Sequence, residues 1–387
     1  MKIEFDQRVL DDPESLAAAD PGEMLRAVAT SGAQVRASVA AAEEAGVGKL
    51  TADGRPRAVV AAGMGGSGIA GAVLAAVCGA RCPVPVVATH GYALPGWAGP
   101  MDLVVAVSCS GSTEETLAVL EEARRRGCRV LTVGAGGSPL AELSERARGL
   151  HVPIDPAGRL PRANIWALST PLLVAADALG LAAVPSSAFA ATADLLDAMA
   201  ERSRPSSDSF VNPAKSLALE LAGRTPMIWG SSDIAETAAY RFACQLNENA
   251  KLPAVYGGLP EANHNQVVAF DGPYGAGAWR SAASDDFFAD RVEEEERTTT
   301  ALRLVLMGDT EEHPQVRRRR EISAQVATER GVPVSEVRAE GSHPVERLAS
   351  LVGLTDFASV YLAIGLGIDP TPITPIMHLK TALSDRS

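Results

Sequence analysis

Short apolar runs alternate with stretches of helical spacing along most of the chain. Residues 57–63 (RAVVAAG), 84–89 (VPVVAT), 103–108 (LVVAVS), 129–133 (RVLTV) and 149–154 each read as a strand. Helical spacing fills 67–78, 113–126 and 164–179, and an Ala-rich helix over 23–46 ends at Gly46, a glycine suited to a C-cap. Residues 1–20 read as an extended arm, and 201–209, with Pro205 and its serines, as a linker. The pattern then restarts. Helices are predicted at 214–222, 236–250, 315–330 and 345–366, and strands at 225–230, 254–257, 302–308 and 334–339. Strands that are apolar throughout, rather than alternating, belong to parallel sheets covered on both faces. The class is therefore α/β, in two similar halves at about 40–190 and 210–387, with no detailed sequence repeat between them.

Composition narrows the function. The 387 residues carry 35 Lys+Arg against 47 Asp+Glu, a net charge of −12. Nucleic acids and anionic membranes both require a basic footprint, so neither is an expected partner. Cys78, Cys82, Cys109, Cys128 and Cys244 form no Cys-x-x-Cys pair, which argues against a disulfide framework or zinc site and fits a reducing cytoplasm. The N-terminus MKIEFDQRVLDDPES has no apolar core of a signal peptide. Four acids at 293–296 and four bases at 317–320 read as solvated surface.

Two loops carry candidate chemistry. Gly63-Met64-Gly65-Gly66-Ser67-Gly68 lies between a predicted strand and helix and matches G-x-G-x-x-G, which lets a backbone approach phosphate at a helix start. A dinucleotide site also expects an acid about 20 residues on, to hold the ribose. The next strand ends instead in Thr89-His90-Gly91-Tyr92, which demotes a nicotinamide or flavin dehydrogenase. A tight turn without ligand is the plain alternative. The second loop, Ser108-Cys109-Ser110-Gly111-Ser112-Thr113 with Thr116 a turn later, clusters hydroxyls at another helix start. A capping box accounts for Ser112 and Glu115 but not for Ser108 and Ser110. Hydroxyls and amides so placed suit a phosphomonoester.

These loops, in this order, resemble the sugar isomerase (SIS) domain. Further motifs narrow the resemblance to bifunctional phosphoglucose/phosphomannose isomerases: Leu160-Pro161-Arg162-Ala163, Asn247-Glu248-Asn249-Ala250-Lys251, Pro260-Glu261-Ala262-Asn263-His264-Asn265, and the tail from Asp369-Pro370-Thr371-Pro372 to His378-Leu379-Lys380. They run from about residue 60 to 380. The resemblance implies two flavodoxin-like, three-layer αβα domains at 41–200 and 210–387, preceded by an arm and helix start at 1–40. It implies isomerisation of fructose 6-phosphate with glucose 6-phosphate, mannose 6-phosphate or both, through an enediolate and without metal or other cofactor.

Aldose–ketose isomerisation needs an anchored phosphate, an opened ring, a moved proton and a stabilised enediolate. Gly66, Ser67, Ser108, Ser110, Ser112, Thr113 and Thr116 are the candidate phosphate-binding residues. By the resemblance, Glu248 transfers the proton and Lys380 assists ring opening; His264 is placed to relay a proton at the ring oxygen or O1, and Arg162 to stabilise the enediolate oxygens as a fixed cation. Glu261 stands second as base. The family's histidine works across a subunit interface, which implies a homodimer with a shared site. A small hydroxyl before the lysine allows both C2 epimers in that family, with Thr371 and Thr374 as candidates, and the epimer preference stays open. Cys109 and Ser112 replace the tyrosine and asparagine usual in the family's loop, and 279–300 looks like an insertion. The alternative is a regulator that binds phosphosugar without catalysis, for which Glu248, His264 and Lys380 would be superfluous.

Overall fold

The computed structural model describes residues 5–275 and 301–384. The insertion expected at 279–300, with its acidic run, lies outside the described residues.

Where an extended arm was expected, the chain forms α1 (Arg8–Asp11) and α2 (Pro13–Ala19). The Ala-rich helix is divided into α3 (Met24–Ala29) and α4 (Ser31–Glu44). There follow β1 (Val59–Gly63), α5 (Ile69–Cys78), β2 (Val86–Thr89), β3 (Leu103–Ser108), α6 (Glu114–Arg125), β4 (Arg129–Ala135), α7 (Pro139–Arg146), β5 (Leu150–Ile154), α8 (Ile165–Ala178) and α9 (Ser186–Arg202). The pattern restarts with α10 (Pro213–Leu221), β6 (Arg224–Gly230), α11 (Asp233–Glu248), β7 (Val255–Gly258), β8 (Ala301–Gly308), α12 (Pro314–Glu329), β9 (Val334–Arg338), α13 (Pro344–Gly365) and α14 (Thr374–Ser384). Helices α7, α9 and α14 are additional to the elements expected from the sequence. Ser138, whose Oγ accepts from the Ala141 amide, and Pro139 at the first helical position are start signals that could have found α7.

The chain forms two compact units. One is Ala27–Met199 with Glu340–Ser350. Its sheet has the order β2-β1-β3-β4-β5, all parallel, which is the flavodoxin-like arrangement. Strands β1 and β3 are buried along their whole length, as their unbroken apolar runs require. Val60, Ala62, Val104 and Ala106 pack with Val119, Leu120 and Ala123 of α6 and Leu140 and Leu143 of α7. Helix α5 lies on the opposite face, where Gly71 approaches Ala61. That makes three layers.

The other unit is Met1–Arg26, Ala200–Ala339 and Leu351–Ser387. Its parallel sheet has the order β7-β6-β8-β9. Met227, Trp229, Leu304 and Leu306 pack with Ala262, Phe270 and Ala327 on one face. Gly230 sits against the backbone of Ala235 and Glu236 at the start of α11. Successive strand residues face opposite sides, so α11 covers the other face. The early chain joins this unit through specific bonds. The Asp6 amide donates to Gly365 O (2.8 Å), and the buried Lys215 ammonium donates to Leu10 O, Pro205 O and Ser207 O. Lys215 thus ties down the segment read as a linker, and burial depresses its pKa. Helix α13, with 22 residues, is long and apolar enough to cross a membrane by length and composition, but 94% of its most apolar window is buried inside the protein.

Candidate functional site

In a sheet of this order the crevice lies outside the carboxyl ends of the first and third strands, where the connections part to opposite sides. Both predicted loops start there. Gly63 ends β1 in register with Val107 of β3, and Ser108 is the last residue of β3. Loop 63–68 makes a 3-10 turn at Gly65–Ser67 before α5. The Cys109 amide donates to Ser67 Oγ (3.1 Å), which ties the two loops together.

A third segment joins them. Pro161–Ala163 forms a 3-10 turn, and the backbone of Pro161 and Arg162 lies against Gly66. A Cβ at residue 66 would sit 2.9 Å from the Arg162 nitrogen. Arg162 is buried (2% exposed). Asn164 carries the link onward. Its Nδ2 donates to Arg159 O and Leu160 O (3.2 Å each) and lies 3.8 Å from Cys109 Sγ. Burial raises the Cys109 thiol pKa, while Arg159 and Asn164 oppose the rise.

The hydroxyl loop sorts into two groups. Ser108 and Thr116 are buried, and Thr116 Oγ1 has no hydrogen-bond partner among the described residues. Ser110 and Ser112 are exposed, with their hydroxyl oxygens 3.0 Å apart. Thr113 is the N-cap residue of α6, yet its side chain does not cap. Its hydroxyl pairs with Ser108 Oγ at 2.8 Å. Among the described residues the first amides of α6 therefore have no side-chain acceptor, and such amides favour an anion.

The four-stranded unit shows the contrast. The corresponding loops follow β6 and β8, but an aspartate fills the place. Ser232 Oγ donates to Asp309 Oδ2 (2.7 Å), the Asp309 amide donates to Ser231 Oγ (2.8 Å), and Ser232 also caps α11. Hydroxyls already matched to a carboxylate are poorly disposed to bind a second anion.

This unit instead carries the candidate reactive groups. Glu248 is the half-buried last residue of α11. Burial and the Glu248 charge together push up the pKa of Cys244, one turn earlier. Two other residues of the motif, Asn249 and Lys251, act on backbone and packing. Asn249 is buried, and its Nδ2 donates to Ser359 Oγ (2.9 Å). Lys251 Nζ donates to Glu248 O (2.7 Å) and Asn249 O (3.3 Å), and reaches Asp369 O and Pro370 O (3.4 and 3.5 Å). It thereby joins the end of α11 to the segment leading into α14. Sequence reasoning did not assign these two residues a role. Lys380 lies exposed on α14, which begins at Thr374.

His264 ends the 3-10 turn Glu261–His264 and is exposed. Asn263 Nδ2 donates to Ser323 Oγ (2.7 Å) on α12, and Asn265 Nδ2 donates to Glu261 Oε1 (3.0 Å). Gln266 holds the next turn, accepting from Trp229 Nε1 (2.6 Å). Trp229, Ala262 and Phe270 share one face of the sheet, so His264 lies on the side of α12. Glu248 belongs to the helix on the opposite face. One chain therefore does not bring Glu248 and His264 together, because its own sheet lies between them.

Comparisons with known proteins agree with this architecture. The family model for the bacterial phospho-glucose isomerase C-terminal SIS domain matches residues 210–383. A bifunctional phosphoglucose/phosphomannose isomerase from Caldicellulosiruptor bescii is 31% identical over 327 residues, spanning 84% of this chain and 89% of that one. One from Aquifex aeolicus is 29% identical over 330 residues, with 84% and 90% covered. A solved hypothetical protein from Thermus thermophilus superimposes with a TM-score of 0.70 at 16% identity, covering 98% of this chain and 94% of that chain, and shares the fold. With both glycine- and hydroxyl-rich loops at the crevice of a 2-1-3-4-5 sheet and such identity over most of its length, the chain belongs to the bifunctional phosphoglucose/phosphomannose isomerase family.

Proposed function

We propose that this protein interconverts fructose 6-phosphate with glucose 6-phosphate, mannose 6-phosphate or both by proton transfer between side chains and sugar. The observation that carries the reading is the convergence of loops 63–68 and 108–113 and turn Pro161–Ala163 at the crevice of the five-stranded sheet.

Ser110, Ser112, Thr113 and the first amides of α6 hold the phosphate. Gly66, Ser67, Ser108 and Thr116 shape the loops around it. Neutral donors suffice for a dianion where amides and hydroxyls converge, so an acidic protein need not repel its substrate. Lys380 and His264 assist ring opening. The Glu248 carboxylate takes the C2 proton of the open aldose, and the electron pair of that C–H bond forms the enediolate. Arg162 stabilises the oxygen charge, the O2 hydroxyl proton passes to O1, and Glu248 returns the proton at C1 to give the ketose. The base must remain on one side of a planar intermediate. Asn249 and Lys251 support this by fixing the end of α11.

His264 is contributed by a second copy of the chain, because in its own chain the sheet separates it from Glu248. The working unit is then a homodimer with shared sites. The free state of all five cysteines fits a reducing, cytoplasmic setting.

NMR of fructose 6-phosphate with purified protein in D₂O tests the reading. Aldose signals should appear, with deuterium at the exchanged carbon, and the epimer is identified in the same spectrum. Glu248→Gln should abolish exchange and retain phosphosugar binding. Binding by the wild-type chain without turnover would leave a regulator instead.

A further inference from the structure

Helix α12 carries four consecutive arginines, and the fold divides them into two pairs. Arg317 and Arg320 bind Glu312, whose carboxylate is buried: Arg317 Nε lies 3.1 Å and Arg320 Nη2 2.9 Å from its Oε1. That pairing holds the Glu312 pKa below its usual value despite desolvation. The guanidiniums of Arg318 and Arg319 have no hydrogen-bond or ion-pair partner among the described residues.

These two line a cavity of ≈ 380 Å³. Ile322 and Val326, one and two turns further along the same helix face, continue its wall, and Asn263 and Val267 form the other. Cations stand at one end and branched apolar side chains at the other. The volume falls in the range of small-molecule pockets, roughly 300–1,000 Å³. In a chain of net charge −12, two free guanidiniums make a local exception, and their forked donors match a phosphate better than a point charge would.

We propose that this cavity is a second anion site, taking a small phosphate monoester with a compact apolar body. The phosphate lies between Arg318 and Arg319, and the body rests on Val267, Ile322 and Val326. None of its lining residues belongs to the loops assigned to substrate phosphate. Its Asn263 wall immediately precedes His264 and is held to α12 through Ser323. Occupancy therefore bears on the turn that carries His264, a consequence that rests on the isomerase reading, whereas the binding itself does not.

Phenyl phosphate is the probe, titrated calorimetrically into full-length protein. Ser110→Ala/Ser112→Ala weakens the loop site and should leave one binding event. Adding Arg318→Ala/Arg319→Ala should raise its Kd by about tenfold or more, since charge-assisted bonds are lost. Ile322→Asp, which keeps both arginines, should do the same. Four outcomes overturn the proposal: no binding in the loop variant; a Kd within about twofold after removal of both arginines; an equal loss in Arg124→Ala/Arg125→Ala, an exposed pair on α6; or inorganic phosphate binding as tightly as phenyl phosphate.

Discussion

A single missing Cβ lets the turn that carries Arg162 pack against the glycine loop. Gly66 is in contact with the backbone of Pro161 and Arg162, and backbone cannot swing aside as a side-chain tip can. Gly66→Ala should therefore displace the turn Pro161–Ala163. A stability loss of about 1–3 kcal/mol is expected from overpacking, together with a fall in kcat larger than the rise in KM. Stopped assays beside a melting curve separate the two. Gly111 is fixed for another reason. Its φ of 68° is left-handed, and a Cβ there would fall 2.0 Å from Ser138 Oγ, so the bend between Ser110 and Ser112 admits no side chain. At the far edge of the same sheet, His151 accepts a proton reluctantly. Burial lowers its pKa, the Ala135 backbone opposes part of that shift, and its Nδ1 lies 2.8 Å from Thr132 Oγ1. A histidine with a depressed folded-state pKa binds fewer protons than it does in the unfolded chain. Its contribution is therefore present above the unfolded value near 6.5 and declines as pH falls through it. The wild-type Tm should drop between pH 7.5 and 5.5 by more than that of His151→Gln, and parallel curves would remove His151 from the account.

At the scale of elements, α11 is held by a buried polar ladder. Arg241, Gln245 and Asn249 recur every fourth residue on its inner face. Arg241 pairs with Asp356 through two bonds, Nε to Oδ1 at 3.0 Å and Nη2 to Oδ2 at 2.6 Å, and Asn249 meets Ser359 one turn along α13. Burial pushes the Asp356 carboxyl up, and Arg241 offsets part of that rise. Breaking one side of such a pair leaves a buried charge alone, so Asp356→Asn should cost about 3–5 kcal/mol, read as a loss in denaturant midpoint. Asn249→Ala removes the bond to Ser359 Oγ, close to Glu248. It should lower kcat several-fold with a stability loss of about 1–2 kcal/mol, and wild-type kcat would show that the ladder does not position Glu248 for the proposed proton transfer. None of this ladder was visible in the sequence, because Arg241 and Asp356 are 115 residues apart and neither stands out locally. What was legible followed from local signals. The unbroken apolar run LVVAVS predicted β3 at its observed bounds, Leu103–Ser108, and the glycine and hydroxyl loops marked the ends of β1 and β3. Hydrophobic runs report burial, but they do not report which polar groups meet across helices. The same limit explains Lys251: its charge was plain, while its carbonyl partners at residues 369 and 370 come from distant chain.

At the scale of the whole molecule, the placement of Glu248 and His264 on opposite faces of one sheet has a stoichiometric consequence. If both act on one sugar, each site draws them from different chains. Helix α14 is consistent with a covering partner, since Ile376, Met377, Leu379 and Leu383 are 39–66% exposed. A chain bearing Glu248→Gln and a chain bearing His264→Ala should each be inactive. Unfolded together in equal amounts and refolded, they should form about half mixed dimers, and each mixed dimer has one site with both residues intact. Recovered activity should then approach about one quarter of the wild-type value. It should rise with protein concentration as dimers assemble, and analytical ultracentrifugation should follow the same curve. Two active-site histidines used within their own chains would give no recovery at any mixing ratio. That outcome would require the turn Glu261–His264 to cross to the other face of its own sheet, breaking the Asn263–Ser323 and Trp229–Gln266 bonds that hold it in place.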